Sequence, residues 1–97
     1  MKAVWNDQVI AESNETIFIE GNQYFPFNSV NMEFLERSNT HTTCFWKGEA
    51  SYYNLSVNGQ VNEDSAWFYP KPMPGSIDKV KKDFTNYVAF WRGVEVS

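Results

Sequence analysis

A short motif of aromatic residue, Trp, long cation and Gly occurs twice in this 97-residue chain. Phe45-Trp46-Lys47-Gly48 lies in the middle of the chain, and Phe90-Trp91-Arg92-Gly93 lies near its end. A looser copy, Val4-Trp5-Asn6-Asp7, lies near the start. Each copy ends an apolar run with residues that favour a turn, because Gly, Asn and Asp tolerate positive φ angles. The motif predicts a small β-structure in which three of the four Trp residues lie at strand ends.

Runs of β-branched and aromatic residues, separated by turn residues, predict seven or eight short strands along the chain. Asn58-Gly59 is the strongest hairpin signal, since a type I′ turn needs two residues that accept positive φ. Asn6-Asp7-Gln8 predicts a second hairpin near the start. Arg92-Gly93 predicts a closing hairpin between strands over residues 87–91 and 94–96.

Two short helices are expected beside the strands. One spans residues 29–37, with Asn28 as its cap and with Val30 and Phe34 on one face. The other begins at Ser76, after an extended segment that carries alternating Pro residues. The predicted class is therefore mainly β, with two folded-over antiparallel sheets or a partly open barrel, in one domain over residues 1–97.

The acidic balance of the chain limits its partners. The formal net charge is −4, whereas binding to nucleic acid needs a basic surface that displaces counterions. The longest apolar run, residues 87–91, is too short to cross a bilayer, and no signal peptide follows Met1. We therefore expect a soluble cytoplasmic protein with neither nucleic acid nor a membrane as its partner.

Aromatic residues make up 18% of the chain and supply the first candidate site. The rings considered are Trp5, Trp46, Trp67, Trp91, Tyr52 and Tyr69. If several of them converge between the sheets, they can form a box for a small planar or cationic ligand. The alternative is a core packed with Trp rings, each with its indole N–H bonded to a carbonyl.

Lys47 and Arg92 occupy the same position in the two copies of the motif. If the two strand ends are neighbours, both cations can flank one anionic group. The alternative is that each stem lies over its own Trp in a cation–π contact.

Glu63 and Asp64 are adjacent carboxylates between two apolar strands. Such a pair could hold Mg²⁺ for phosphoryl chemistry, with Lys47 or Arg92 on the phosphates. The alternative is a turn in which Asp64 bonds the local backbone.

Cys44 is the only Cys, and His41 precedes it by three positions. A nucleophilic thiolate needs a base or cation close by, but an odd separation along a strand places two side chains on opposite faces. We expect an inert Cys44. One His and one Cys do not complete a metal site, so no metal or cofactor is expected.

Several segments, taken together, resemble a known family. They are Trp5 with Ile10-Ala11-Glu12-Ser13, Glu20-Gly21-Asn22 with Tyr24-Phe25-Pro26, Cys44-Phe45-Trp46-Lys47-Gly48 with Ala50 and Tyr52-Tyr53, Ala66-Trp67-Phe68-Tyr69-Pro70, and Val88-Ala89-Phe90-Trp91. Nearly the whole chain is similar to the bacterial, cyanobacterial and fungal proteins grouped as domain-of-unknown-function family 427. Phe45 departs from the Pro usual in the family, and residues 81–86 are longer than its usual link.

The resemblance implies a compact fold of the β-tent type, and a nucleotidyltransferase label is attached to the family. Some β-tent relatives hold zinc on paired Cys-x-x-Cys motifs, but a chain with a single Cys cannot form that site. Fold and family name do not fix the chemistry.

The prediction is a domain that binds a small ligand in an aromatic-lined cleft between sheets. Its predicted site comprises four rings and three polar anchors: Trp46, Trp67, Trp91, Tyr52, Lys47, Asp64 and Arg92. Two alternatives stay open. One is a Mg²⁺-dependent, nucleotidyltransferase-like enzyme that works through Glu63, Asp64 and Lys47. The other is a protein-interaction module with an exposed aromatic patch.

Overall fold

Nine strands, one helix and two 3₁₀ turns make up the structure, a computed structural model that describes residues 1–97. The strands are β1 (Lys2–Trp5), β2 (Gln8–Glu12), β3 (Ile17–Ile19), β4 (Asn22–Tyr24), β5 (Leu35–Cys44), β6 (Gly48–Val57), β7 (Gln60–Phe68), β8 (Val88–Phe90) and β9 (Glu95–Val96). The helix α1 spans Pro74–Val80, and the 3₁₀ turns span Phe27–Ser29 and Met32–Phe34.

The strands form three antiparallel sheets that fold over one another without closing into a barrel. The largest sheet has the order β5-β6-β7-β8, the second has the order β2-β1-β9, and β3 and β4 form a hairpin. Just after β4, Phe25 and Val88 exchange two backbone hydrogen bonds of 2.8 and 2.9 Å, which join the hairpin to β8. This arrangement confirms the predicted mainly-β class, with one α-helix and two 3₁₀ turns as its helical parts.

Strand β6 contributes side chains to two cores, one on each face of the four-stranded sheet, since successive side chains of a strand point to opposite faces. On β6, Tyr53 and Leu55 belong to a core shared with β1 and β2. Ala50 and Tyr52 belong to a second core shared with β3, β4 and Phe84. The second face carries the rings of the candidate site.

The two hairpins with the clearest turn signals are confirmed. Asn58 and Gly59 have φ angles of 51° and 78° and join β6 to β7. Asn6 and Asp7 have φ angles of 52° and 61° and join β1 to β2. Both turns are local, so their own residues suffice to specify them.

The predicted closing hairpin around Arg92-Gly93 is wrong. Strand β8 pairs with β7, and β9 pairs with β1, so this turn carries the chain from one sheet to another. Strands β8 and β9 pair with these strands rather than with each other: Phe90 lies opposite Ala66, and Val96 lies opposite Ala3. Both partners are fully buried.

The predicted helix over residues 29–37 is replaced by 3₁₀ turns and the start of β5. The N–H of Asn31 donates to the carbonyl of Ile10 at 2.8 Å, and Val30 forms a bridge with Ala11. Val30 is therefore extended, with φ −98° and ψ 132°. Pairing with β2 outweighs the weak local preference for a helix.

The first copy of the Trp motif forms the loop between β5 and β6 rather than the end of a strand. Cys44 pairs with Gly48, so Phe45, Trp46 and Lys47 lie in the loop. The extended, Pro-containing segment passes close by, and the N–H of Met73 donates to the carbonyl of Lys47 at 3.1 Å. The loop is therefore held at its base by the pairing of β5 with β6 and on its outer side by the hydrogen bond from Met73.

Gly48 has a φ of +109°, and a Cβ added there would lie 3.3 Å from the carbonyl oxygen of Lys71. We predict that Gly48→Ala lowers the free energy of unfolding by about 1–3 kcal/mol, because a side chain is strained in that backbone region. Gly75→Ala is the matched control, since an added Cβ meets nothing within 4 Å there. Urea denaturation measures both, and equal stabilities would contradict the prediction.

Candidate functional site

A cleft of about 230 Å³ opens beside the second core, between the turn that joins β3 to β4 and the rings of β6 and β7. Five of its eight lining residues are aromatic. The eight are Glu20, Asn22, Tyr24, Lys47, Tyr52, Trp67, Tyr69 and Trp91. The cleft therefore joins one polar end to a wall of rings.

The rings of the cleft are fixed by one another. Trp67 packs edge-to-face against Trp91, with centroids 5.4 Å apart, and against Tyr24, with centroids 6.1 Å apart. The Nε1–H of Trp67 donates to the Tyr24 hydroxyl at 3.0 Å. The Tyr52 hydroxyl lies 2.9 Å from Oγ1 of Thr42. Contacts within the protein thus hold the wall in place.

A bulge in β7 sets the position of Trp91. Residues 63–65 face the single residue Asn54 of β6, and Asp64 has a φ of 53°. Asn54 Oδ1 accepts a hydrogen bond of 2.9 Å from the N–H of Asp64. The bulge turns the Asp64 carbonyl towards Trp91, whose Nε1–H donates to it at 2.5 Å. Bulges commonly re-aim side chains in this way.

The ammonium group of Lys47 is the charged centre of the cleft. The Lys47 side chain is 8% exposed, and its Nζ donates to Oε1 of Glu20 at 2.5 Å. The same Nζ lies 5.2 Å from the ring centroid of Trp46 and 5.3 Å from that of Tyr69. A carboxylate and two ring faces therefore surround the buried charge.

Lys47 and Glu20 are both charged at neutral pH. Burial is the largest single influence on Lys47 and would lower its pKa, but the hydrogen bond to Glu20 and nearby negative charge raise the pKa above 10.5. The hydrogen bond from Lys47 holds the pKa of Glu20 below 4.5, against partial desolvation. Burial raises the pKa of Tyr69 to about 12 and also raises that of Tyr24. Both phenols are therefore neutral at pH 7.

The cleft brings together four of the seven predicted site residues: Trp67, Trp91, Tyr52 and Lys47. Trp46 lies beside it, with the ammonium of Lys79 4.5 Å from its ring centroid. The Arg92 guanidinium lies 4.8 Å from the ring centroid of Trp91 and outside the cleft. Lys47 and Arg92 therefore do not flank a common group.

Asp64 contributes its backbone rather than its carboxylate to the cleft. Its two carboxylate oxygens accept hydrogen bonds from Ser38 at 2.5 Å and Thr40 at 2.8 Å. The hydrogen bond from Ser38 is the main reason that the pKa of Asp64 lies below 3.8. Nowhere in the chain do three or more His, Cys, Asp or Glu side chains group so that they could hold a metal ion.

Four lining residues lie outside the predicted site: Glu20, Asn22, Tyr24 and Tyr69. Of these, only Tyr69 was among the rings considered from the sequence. Glu20 and Gly21 form the turn between β3 and β4, with φ angles of 50° and 86°. The one available signal is the run Glu20-Gly21-Asn22, which marks a turn. That signal does not say that this turn closes over Lys47.

The fold and the cleft define a class: a small, mainly-β protein with an aromatic cleft around a buried ammonium group. The chain belongs to the family described as Domain of unknown function (DUF427), which matches residues 1–96. The name of the family carries a nucleotidyltransferase label. Among curated proteins, none matches the chain significantly. The structure contains no helix that is both long and apolar enough to cross a membrane.

We predict that Glu20→Gln lowers the free energy of unfolding by about 1–2 kcal/mol at pH 7. A hydrogen bond to a charged group contributes on this order, and the partial exposure of Glu20 keeps the effect at the lower end. The folded-state pKa of Glu20 is depressed, so its contribution is present above pH 4.5 and is lost as the pH falls through the folded-state value. The difference between variant and wild type therefore shrinks as the pH falls below 4.5.

Urea denaturation at pH 7 and pH 3 measures this difference. Glu36→Gln is the control, because Glu36 is exposed on β5. The expected effect of the control is small at both pH values. A Glu20→Gln difference of the same size at pH 7 and pH 3 would argue against the charged pair.

Proposed function

We propose that the protein binds a small planar ligand in this cleft. The observation that carries the proposal is that five rings and one ammonium group line a single opening. Ligand sites are typically apolar clefts with a few convergent polar groups. Each ring already has its own packing or hydrogen-bond partner, which supports binding with little reorganisation.

The size of the cleft limits the ligand. Its volume of about 230 Å³ lies below the range of roughly 300–1,000 Å³ that is usual for drug-sized ligands. The ligand proposed is therefore one ring or two fused rings. Of the planar and cationic ligands considered, the planar kind is favoured, because a cationic ligand would meet the like charge of Lys47.

The enzyme alternative, Mg²⁺-dependent nucleotidyl transfer, is supported by the name of the family. The structure adds no support, since the Asp64 carboxylate is engaged by Ser38 and Thr40. The interaction module is supported by the exposure of Phe18 and Trp91, which together line a second, separate opening. A cytoplasmic location and the lack of a nucleic-acid partner stay predictions.

Binding of planar compounds should change the intrinsic Trp fluorescence of the protein. A panel of nucleobases, indole and nicotinamide, with quaternary amines for comparison, tests this expectation. We predict that Trp91→Phe weakens the binding of the best planar compound roughly fivefold, since an aromatic contact contributes about 0.5–1.5 kcal/mol.

Trp5→Phe is the matched control, because Trp5 packs against the first core, away from the cleft. It should leave the affinity unchanged. If no compound of the panel alters the emission, or if both variants weaken binding equally, the proposed cleft is not the binding site.

A further inference from the structure

We infer that the ligand carries a carboxylate, and that this carboxylate takes the place of Glu20 on Lys47. The inference rests on the proposed function, and it names the chemical class: a planar aromatic acid. Glu20, bonded to Lys47 in the structure, holds the position that the acid group of the ligand would take.

The first step concerns Lys47, whose buried charge needs a bonding partner. A buried ammonium group needs an anion or hydrogen-bond acceptors in place of water. Lys47 is the only cation that lines the cleft, and its side chain is 8% exposed. An ammonium group has three N–H donors, and Glu20 supplies the only carboxylate bonded to it. Whatever fills the cleft must keep Lys47 paired.

The second step concerns the difference in exposure between the two partners. The Glu20 side chain is 55% exposed, and it belongs to a turn rather than to a packed strand. If Glu20 swings away, its carboxylate returns to water, where a carboxylate is well solvated. Lys47 has no such alternative. Exchange of one carboxylate for another is therefore the change that the site accepts most easily.

The third step places the ring and the acid group in the same molecule. Lys47, Trp67 and Trp91 line one cleft, so a ligand bonded to Lys47 is within reach of both indoles. The Tyr24 oxygen accepts the Nε1–H of Trp67. A phenol has one proton to donate, and the Tyr24 proton has no acceptor among the hydrogen bonds of the structure. It is a second donor for an incoming carboxylate oxygen.

Matched acid and amide pairs test the inference, because the two members differ in charge and hardly in shape. The probes are benzoate with benzamide, and indole-3-carboxylate with indole-3-carboxamide. Shifts of the indole N–H signals of Trp67 and Trp91 in ¹⁵N NMR spectra report binding. We expect each acid to bind about tenfold more tightly than its amide.

Variants identify the groups responsible. Glu20→Gln removes the competing carboxylate, so the affinity for each acid should rise several-fold while that for each amide stays the same. Lys47→Met should abolish the preference for the acid, and Lys47→Arg should keep it. Glu36→Gln, the control on β5, should change nothing. If Lys47→Met does not fold, Glu20→Gln and Lys47→Arg still test whether the acid exchanges with Glu20 on Lys47.

Three other outcomes would contradict the exchange at Lys47, the proposed function, or both. Equal binding of acids and amides, with both shifting the two indole signals, overturns the exchange at Lys47 and leaves the proposed function standing. A loss of acid affinity in Glu20→Gln also overturns the exchange. No shift with any of the four probes overturns both the exchange and the proposed function.

Discussion

The buried ammonium group of Lys47 is the interaction on which the cleft depends. An unpaired charge at this depth would be strongly unfavourable, so the turn that carries Glu20 must lie against the loop between β5 and β6. The carbonyl of Lys47 also accepts a hydrogen bond from Met73 and so anchors the Pro-containing segment. One residue thus joins the β3–β4 hairpin, the four-stranded sheet and the segment that leads into α1. The position of the polar end of the cleft follows from these contacts.

The two copies of the Trp motif have different roles despite their similar sequences. The first copy is a hairpin loop, and it places a cation in the cleft. The second copy links two sheets, and it places a ring there. The bulge at Asp64 makes the second role possible, because the Asp64 carbonyl fixes the indole of Trp91. The two copies therefore meet at the cleft, where the first supplies the ammonium group and the second supplies a ring.

Local features of the fold were predictable from the sequence, whereas long-range pairings were not. The turns at Asn6-Asp7 and Asn58-Gly59 depend on their own residues, so both hairpins could be predicted. The predicted closing hairpin was wrong because β9 pairs with β1, at the other end of the chain. The predicted first helix was wrong because Val30 and Asn31 bond to β2 instead. In the site, strand alternation places Tyr52 and Trp67 on the same face, but the turn register alone would pair Tyr52 with Ser65. The bulge at residues 63–65 shifts the pairing to Trp67. The partnership of Lys47 with Glu20 has no such local signal.

The charge state of Lys47 gives the most direct test of the central interaction. An NMR titration of the Lys47 side chain, labelled with ¹³C at Cε, can follow its ionisation while the protein is folded. We predict that Lys47 keeps its proton above pH 10.5, the ordinary lysine pKa. If Lys47 loses its proton at or below that pH, desolvation outweighs the pairing with Glu20, and the charged centre of the cleft is contradicted.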